Sequence, residues 1–362
     1  MKLLNLCNRV IEYSFYLLFF LVPLAFTSDT SELFEFNKLW ITFIITIIIG
    51  FAWFTKMVVK KEFRLQRTLL DIPIALFLGS QIISTFFSLD PHTSLWGYYS
   101  RFNGGLLSIF AYIFLYYAFV TNLKDDLEEK NNFSFKKFYI FLAGVLVFIV
   151  GSFISSKVPF TQSAGIPFQM LSILTTALAT FVIFMRAAPN GILKRSLYAI
   201  FSSAILVVLW GLPSHFGFDP TCLLLRGTFD VSCWTADFLP KIRIFSTLGQ
   251  PDWLAAYLVT LLPILMVLFI NFSKGKTFFD RKLSLLKNQT TLISLGYIVL
   301  FVAFYASLLY TRSRSAILAF WIVAPALLLI YFWFYVRPNF ERKKLNLDFK
   351  FLIVILVLIA GV

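Results

Sequence analysis

The sequence predicts an all-α fold: a polytopic transmembrane helix bundle of about eleven spans, with its N-terminus in the cytoplasm. Three observations predict it. Hydrophobic residues make up 59% of the chain and charged residues only 14%, with a mean hydropathy of +0.82, whereas a soluble domain carries roughly 25% charged residues. Apolar stretches near the length that crosses a bilayer, about 20 residues, recur along the chain. Lys and Arg gather in alternate connections, as the positive-inside rule requires.

The first span falls at 10–27, behind Lys2 and Arg9, which hold the N-terminus inside. A cleaved signal peptide is the alternative, but no small-x-small cleavage site follows and many more spans do. Further spans fall at 38–55, 70–88, 105–121, 138–154, 168–185, 196–213, 253–272, 291–310 and 316–336, and an eleventh begins at 351 and is still running at 362. Pro23, Pro213, Pro263 and Pro325 lie within or at the ends of spans, where membrane helices tolerate them. The N-terminus and the connections at 56–67, 124–137, 186–195, 274–287 and 337–350 hold 24 of the 32 Lys and Arg residues. The other eight are Lys38, Arg101, Lys157, Arg226, Lys241, Arg243, Arg312 and Arg314, on the predicted outer side. Residues 1–362 read as a single integral membrane domain with a long extracytoplasmic loop at 214–252.

Composition also narrows the function classes. The net charge of +14 sits in short loops between apolar spans and reports orientation. No basic helix or RNA-binding signature accompanies it, so nucleic acid is not an expected partner; the lipid bilayer is. Span interiors are nearly free of Asp, Glu, Lys and Arg, with Glu12 and Asp71 near span ends. That weakens ion-coupled transport, which places carboxylates near mid-membrane. No Asp-x-Asp pair marks a metal-dependent nucleotide-sugar site. No Cys/His cluster suggests zinc. Cys222 and Cys233 share the long outer loop, where disulfides persist, and read either as two free thiols or as a structural bridge.

Three outer segments are richer than connectors need to be. Gly97 to Gly105, within Trp96-Gly97-Tyr98-Tyr99-Ser100-Arg101-Phe102-Asn103-Gly104-Gly105, reads either as an aromatic interfacial belt with a glycine turn or as a polar site lined by Arg101. Ser246-Thr247-Leu248-Gly249-Gln250-Pro251-Asp252 reads as a turn into the next helix. Thr311-Arg312-Ser313-Arg314-Ser315-Ala316 sets two arginines between spans with almost no loop. Arginine there either snorkels to lipid phosphate or serves a phosphate or pyrophosphate, whose oxygens match the guanidinium fork. His215, a lone loop histidine, reads as incidental.

These segments resemble the O-antigen ligase and polymerase superfamily. Gly97, Arg101 and Asn103-Gly104-Gly105 are similar to its Gly/Arg/Gly outer loop. Arg243 with Gly249-Gln250-Pro251-Asp252-Trp253-Leu254-Ala255 resembles its Gly-Asn-Pro-Asn-x-Leu-Ala helix start, with Gln250 and Asp252 in place of the two Asn. Thr311-x-Ser313-Arg314-Ser315 resembles its Thr-x-Ser-Arg-Gly signature, with Ser315 for Gly. The segment 243–362 is most like the family core. The resemblance implies a metal-independent membrane glycan transferase in the bacterial cytoplasmic membrane, without cofactor. It would move glycan from an undecaprenyl-diphosphate carrier to a glycolipid, glycan or protein acceptor on the outer face. Arg314 and Arg243 would clamp the diphosphate, with Arg101 and Arg312 next in rank and Ser313, Gly249 and Asp252 supporting. The family's catalytic histidine lies in an outer loop after the Ser-Arg signature. The resemblance therefore implies that this sequence is the N-terminal part of a longer protein, with the base beyond Val362. A repeat-unit polymerase is the enzymatic alternative. A transporter or non-catalytic protein on the same scaffold is the other, since some relatives are linked to inorganic carbon uptake.

Overall fold

The computed structural model describes residues 2–27, 32–99, 101–123, 135–157, 168–273, 289–331 and 333. Among them every regular element is helical and no strand occurs. The helices are α1 (Lys2–Leu24), α2 (Glu35–Lys60), α3 (Asp71–Phe86), α4 (Pro91–Trp96), α5 (Leu106–Asn122) and α6 (Phe135–Lys157). They continue with α7 (Phe168–Ala187), α8 (Ile192–His215), α9 (Pro220–Arg226), α10 (Pro251–Ser273), α11 (Gln289–Tyr310) and α12 (Arg314–Tyr331).

Ten of the expected spans fall on helices. Among the described residues, seven helices are long and apolar enough to cross a membrane: α1, α2, α6, α8, α10, α11 and α12. The other three expected spans lie on shorter apolar helices, α3, α5 and Leu171–Ala187. At about 1.5 Å per residue, α3 and α5 measure about 24–26 Å, short of the ~30 Å hydrocarbon core. The eleventh span at 351–362 lies outside the described residues, as do Ser100 and most of the basic connections at 124–137, 274–287 and 337–350.

Where the sequence reads as one membrane domain, packing divides the chain into two compact units. The first comprises Met1–Trp210, Phe218–Trp234 and Thr247–Gly249; the second comprises Gly211–Gly217, Thr235–Ser246 and Gln250–Val362. In the first unit, Ile11 and Phe15 of α1 stand one turn apart. They meet Ile45, Ile49, Ala52 and Trp53 of α2 and Leu115 and Ala118 of α5. Small residues let such helices close up where lipid supplies no hydrophobic drive. A Cβ on Gly144 of α6 would overlap the Phe184 ring of α7, and Ser155 and Ser172 hydroxyls meet at 2.8 Å between the same helices. In the second unit, Phe304 of α11 and Phe320 of α12 are wholly buried, as is Leu258 of α10. Large apolar side chains elsewhere face outward, among them Phe51, Phe54, Ile72 and Leu329, as lipid contact requires.

The 214–252 segment is structured through much of its length. Helix α8 runs on to His215, and α9 follows with Asp219 as its N-cap and Pro220 in its first turn. Short 3₁₀ turns form at Ala236–Phe238 and Ser246–Leu248. Cys222 and Cys233 are joined by a disulfide. The Asp219 side chain accepts the Thr221 N–H at 2.8 Å and the Trp234 indole N–H, so it ties the bridged loop to α9. Asp219, Cys222 and Cys233 lie close enough together to hold a metal. With the two sulfurs bonded to each other, they offer no thiolate.

Candidate functional site

The expected site residues divide between the two units. In the first unit, Arg101 faces a carboxylate. Its Nε lies 3.5 Å from Glu35 Oε2, and Asn103 Nδ2 donates to Glu35 Oε1 at 2.9 Å. Asn103 Oδ1 accepts from the Tyr112 hydroxyl at 3.2 Å and from the Gly104 N–H at 2.8 Å. Glu35 opens α2, where the helix dipole favours a negative charge. Upstream, the Glu32 carboxylate accepts the N–H groups of Phe34, Glu35 and Phe36, which the first turn of a helix leaves without partners.

The glycines of this loop have a steric reason. Gly97 has φ +92°, and a Cβ there would sit 2.6 Å from the Asn103 carbonyl oxygen. A Cβ on Gly105 would sit 2.6 Å from the Leu95 oxygen and closer still to the Gly97 nitrogen. The two ends of the loop are pressed backbone to backbone, and Arg101 and Asn103 are held over the start of α2.

Gly249 and Thr247 also belong to the first unit. Gly249 has φ +85°, and a Cβ on it would overlap the Phe34 ring. Thr247 Oγ1 donates to the Pro23 carbonyl at 2.7 Å, and the Thr247 carbonyl accepts from Lys38 Nζ at 2.7 Å. Lys38 also donates to the Ala25 carbonyl. Its charge is spent on the chain ends of α1 and the 246–248 turn.

The second unit gathers the remaining residues around the turn between α11 and α12. Arg243 Nε donates to the Thr311 carbonyl at 2.8 Å, and Arg243 Nη2 lies 3.1 Å from Asp252 Oδ1. Beside it the Ile244 N–H donates to the Tyr310 carbonyl at 3.2 Å. Arg243 therefore caps the C-terminal end of α11, where a cation is favourable, and reaches the first turn of α10. Two of the five N–H donors of its guanidinium are used. Thr311 and Ser313 are buried; the Thr311 hydroxyl donates to Leu308 and accepts the Ser313 N–H at 3.2 Å. Between them Arg312 takes φ +53°, the left-handed region that side chains avoid. The buried hydroxyls hold the turn, and the alternation throws Arg312 and Arg314 outward into exposure. Among the described residues neither guanidinium makes a hydrogen bond or an ion pair, while the Arg312 N–H donates to the Leu309 carbonyl at 3.0 Å.

His215 lies in the same unit, a placement the sequence did not reveal. Its ring stacks on Tyr310, next to Thr311, with centroids 4.1 Å apart and planes inclined by 20°. Its Nδ1 is buried without a hydrogen-bond partner among the described residues. Lys241 lies along Gly217, where a Cβ would come within 2.7 Å of Lys241 Cε. Four cations thus belong to or flank this part of the second unit, and Asp252 is the carboxylate shown to meet one of them. Only a long-range signal could have found the His215–Tyr310 stack or the Glu35–Arg101 pair, since the partners are far apart in the sequence.

No protein-family model matches this chain, and neither the curated proteins nor the solved structures hold a match to it.

Proposed function

We propose that the chain is the glycan-transferring part of a metal-independent membrane enzyme of the O-antigen ligase type. It acts on an undecaprenyl-diphosphate-linked glycan at the outer face of the bacterial cytoplasmic membrane. The observation that carries this reading is the α11–α12 turn: Arg312 and Arg314 exposed on either side of buried Ser313, with Arg243 fixed behind them. In the transfer, an acceptor hydroxyl attacks the anomeric carbon, and the bond to the carrier phosphate breaks. Negative charge then grows on the departing diphosphate. Fixed guanidinium groups stabilise that charge without reorganising, and each such donor is worth about 10²–10³ in rate. Arg314 and Arg312 serve as the direct clamp; Arg243 positions the turn and offers its remaining donors.

The reading carries a topology: about eleven spans, the N-terminus in the cytoplasm, and Arg101, Arg243, Arg312 and Arg314 outside. It takes support against ion-coupled transport from the two carboxylates near span ends. Glu12 Oε1 accepts the Tyr16 hydroxyl at 2.6 Å and lies 3.5 Å from Arg195 Nη1. Asp71 Oδ1 accepts from the Thr68 hydroxyl at 2.8 Å and the Tyr117 hydroxyl at 3.0 Å. Both are engaged in structural ties.

The test is transfer from undecaprenyl-diphosphate-linked glycan by the whole protein carrying Arg314→Ala, with membrane insertion monitored in parallel. Transfer should fall by about 10²-fold or more while insertion persists. Full transfer by the inserted variant would overturn the clamp.

A further inference from the structure

A second charged feature lies at the other end of α2, within the first unit and away from Glu35. A cavity of about 180 Å³ opens there, lined by Trp53, Lys56, Met57 and Lys60 of α2 and by Glu62 and Arg64 just after it. The helical spacing explains the lining: positions 53, 56, 57 and 60 fall on one face. Lys61 ends the helix with φ 53° and donates its N–H to the Val58 carbonyl, which turns the chain back. Glu62, Arg64 and Gln66 line the cavity at its open rim, and Phe63 and Leu65 between them are exposed as they are, Phe63 by 82%. The Gln66 N–H donates to Thr121 Oγ1 at 3.1 Å, and Lys56 Nζ donates to Asn122 Oδ1 at 2.9 Å, which fixes the wall at the end of α5.

The charges are unbalanced. Lys56 and Lys60 are one helical turn apart, a like-charge pair that is unfavourable unless an anion lies between them. Arg64 adds a third cation, and Glu62 is the one carboxylate of the lining. Among the described residues, Lys60, Glu62 and Arg64 form no ion pair. The volume is below the ~300–1,000 Å³ of ordinary small-molecule sites, which suits a phosphate and a few carbons better than a nucleotide. Exposed apolar side chains stand at its rim. Phe63 and Leu65 lie between lining residues, and Ile47, Phe51, Phe54 and Val58 form an exposed stripe on another face of α2. Cations around a small polar cavity, with exposed Phe63 and Leu65 at its rim, match a phosphate whose acyl chains leave past those two side chains.

We propose that this cavity binds the headgroup phosphate of an anionic phospholipid. Lys56, Lys60 and Arg64 would surround the phosphate, and Glu62 would accept from a headgroup hydroxyl. Trp53 and Met57 form the apolar floor. The proposal needs a bilayer but neither the glycan-transfer reading nor the orientation of the chain.

The experiment measures equilibrium binding of phosphatidylglycerol, against phosphatidylcholine and soluble glycerol phosphate, to the whole chain in mixed micelles. Phosphatidylglycerol should bind best. At roughly fivefold per basic residue near a lipid phosphate, K60Q/R64Q should weaken it by about 30-fold. K60R/R64K, which keeps the charges, should retain most of the affinity and shows whether loss in the first variant reflects misfolding. K136Q/K137Q, two lysines at the start of α6, should leave binding unchanged. Equal loss in K136Q/K137Q would reduce the effect to general surface charge and overturn the site. Equal binding of glycerol phosphate or of phosphatidylcholine would also overturn it, the first in favour of a soluble phosphate ester.

Discussion

The loop of Arg101 and the turn of Arg312 and Arg314 look alike in sequence, and they treat their charges differently. Each puts arginine among small residues beside a span. In the first, Glu35 lies 3.5 Å from the guanidinium and Asn103 holds the same carboxylate, so the charge is met inside its own unit. In the second, hydroxyls and Arg243 fix the backbone while Arg312 and Arg314 stay exposed and unpaired among the described residues. The lesson concerns arginine at a membrane surface generally. One that closes a loop onto a carboxylate is a structural tie. One held by a rigid turn with no partner is available to a ligand anion.

The sharpest way to break this comparison is to exchange its terms. Arg312→Ala and Arg314→Ala in the whole protein should each lower glycan transfer by about 10²–10³-fold, with little change in thermal stability. Arg101→Ala should lower transfer less than about threefold and cost at most about 1 kcal/mol of stability, the usual worth of an exposed ion pair. Transfer assays and melting curves in detergent would decide it. A collapse of transfer in Arg101→Ala at unchanged stability would mean that the Glu35 pair opens in use and that the two regions act alike.

The second prediction strikes the Arg101 loop where it is most rigid. Gly97→Ala must move the Asn103 carbonyl in addition to adopting φ +92°, and should cost about 2–3 kcal/mol. Gly104→Ala has φ +82° but open space around its Cβ, so it should cost only the backbone term, about 1 kcal/mol. Equal melting temperatures for the two variants would remove the close backbone approach as the reason for the glycines.

How much of this was legible beforehand follows from the range of the interactions. The helices at 38–55, 196–213 and 253–272 were readable, because hydrophobic length is a local property. Helices α4 and α9 were missed. Each depends on a single N-cap, Asp90 or Asp219, followed by proline, and six or seven residues leave no periodic signal. The setting of Arg312 and Arg314 on either side of Ser313 was readable, since three adjacent residues carry it, but the burial of Ser313 was not. The neutralisation of Arg101 by Glu35 was not, and neither was the stacking of His215 on Tyr310, 95 positions later. Gly249 was assigned to ligand support by its motif; its neighbour is the Phe34 ring, which nothing local announces.

A smaller effect separates charge from strain at the second region. Arg312 carries its left-handed φ of 53° at a cost of about 1 kcal/mol relative to glycine. Arg312→Gly should therefore match or raise the melting temperature while losing transfer as Arg312→Ala does. A variant that is both more stable and fully active would mean that Arg312 contributes nothing to the clamp, which would then rest on Arg314 alone.

The smallest effect is a pH dependence confined to the first unit. Burial pushes the Asp219 carboxyl above its ordinary value, against the opposing hydrogen bonds from Trp234 and Thr221. A carboxyl with a raised folded value binds its proton more tightly when folded. Its contribution to stability is therefore greatest below the ordinary carboxylate range and falls as pH rises through the raised value. Asp90 and Asp230 act in the opposite sense. Hydrogen bonds from the Thr93 and Ser232 side chains and backbone hold them below the usual range, so their contributions are lost on acidification. The total profile mixes the two signs, and the difference between wild type and Asp219→Asn isolates one. Asparagine keeps an acceptor for the Thr221 N–H but cannot ionise, so the variant should lose stability overall and lose less of it as pH rises. Parallel melting curves for the two proteins from pH 4 upward would show that Asp219 is already ionised throughout, and that its bonds to Trp234 and Thr221 outweigh its burial.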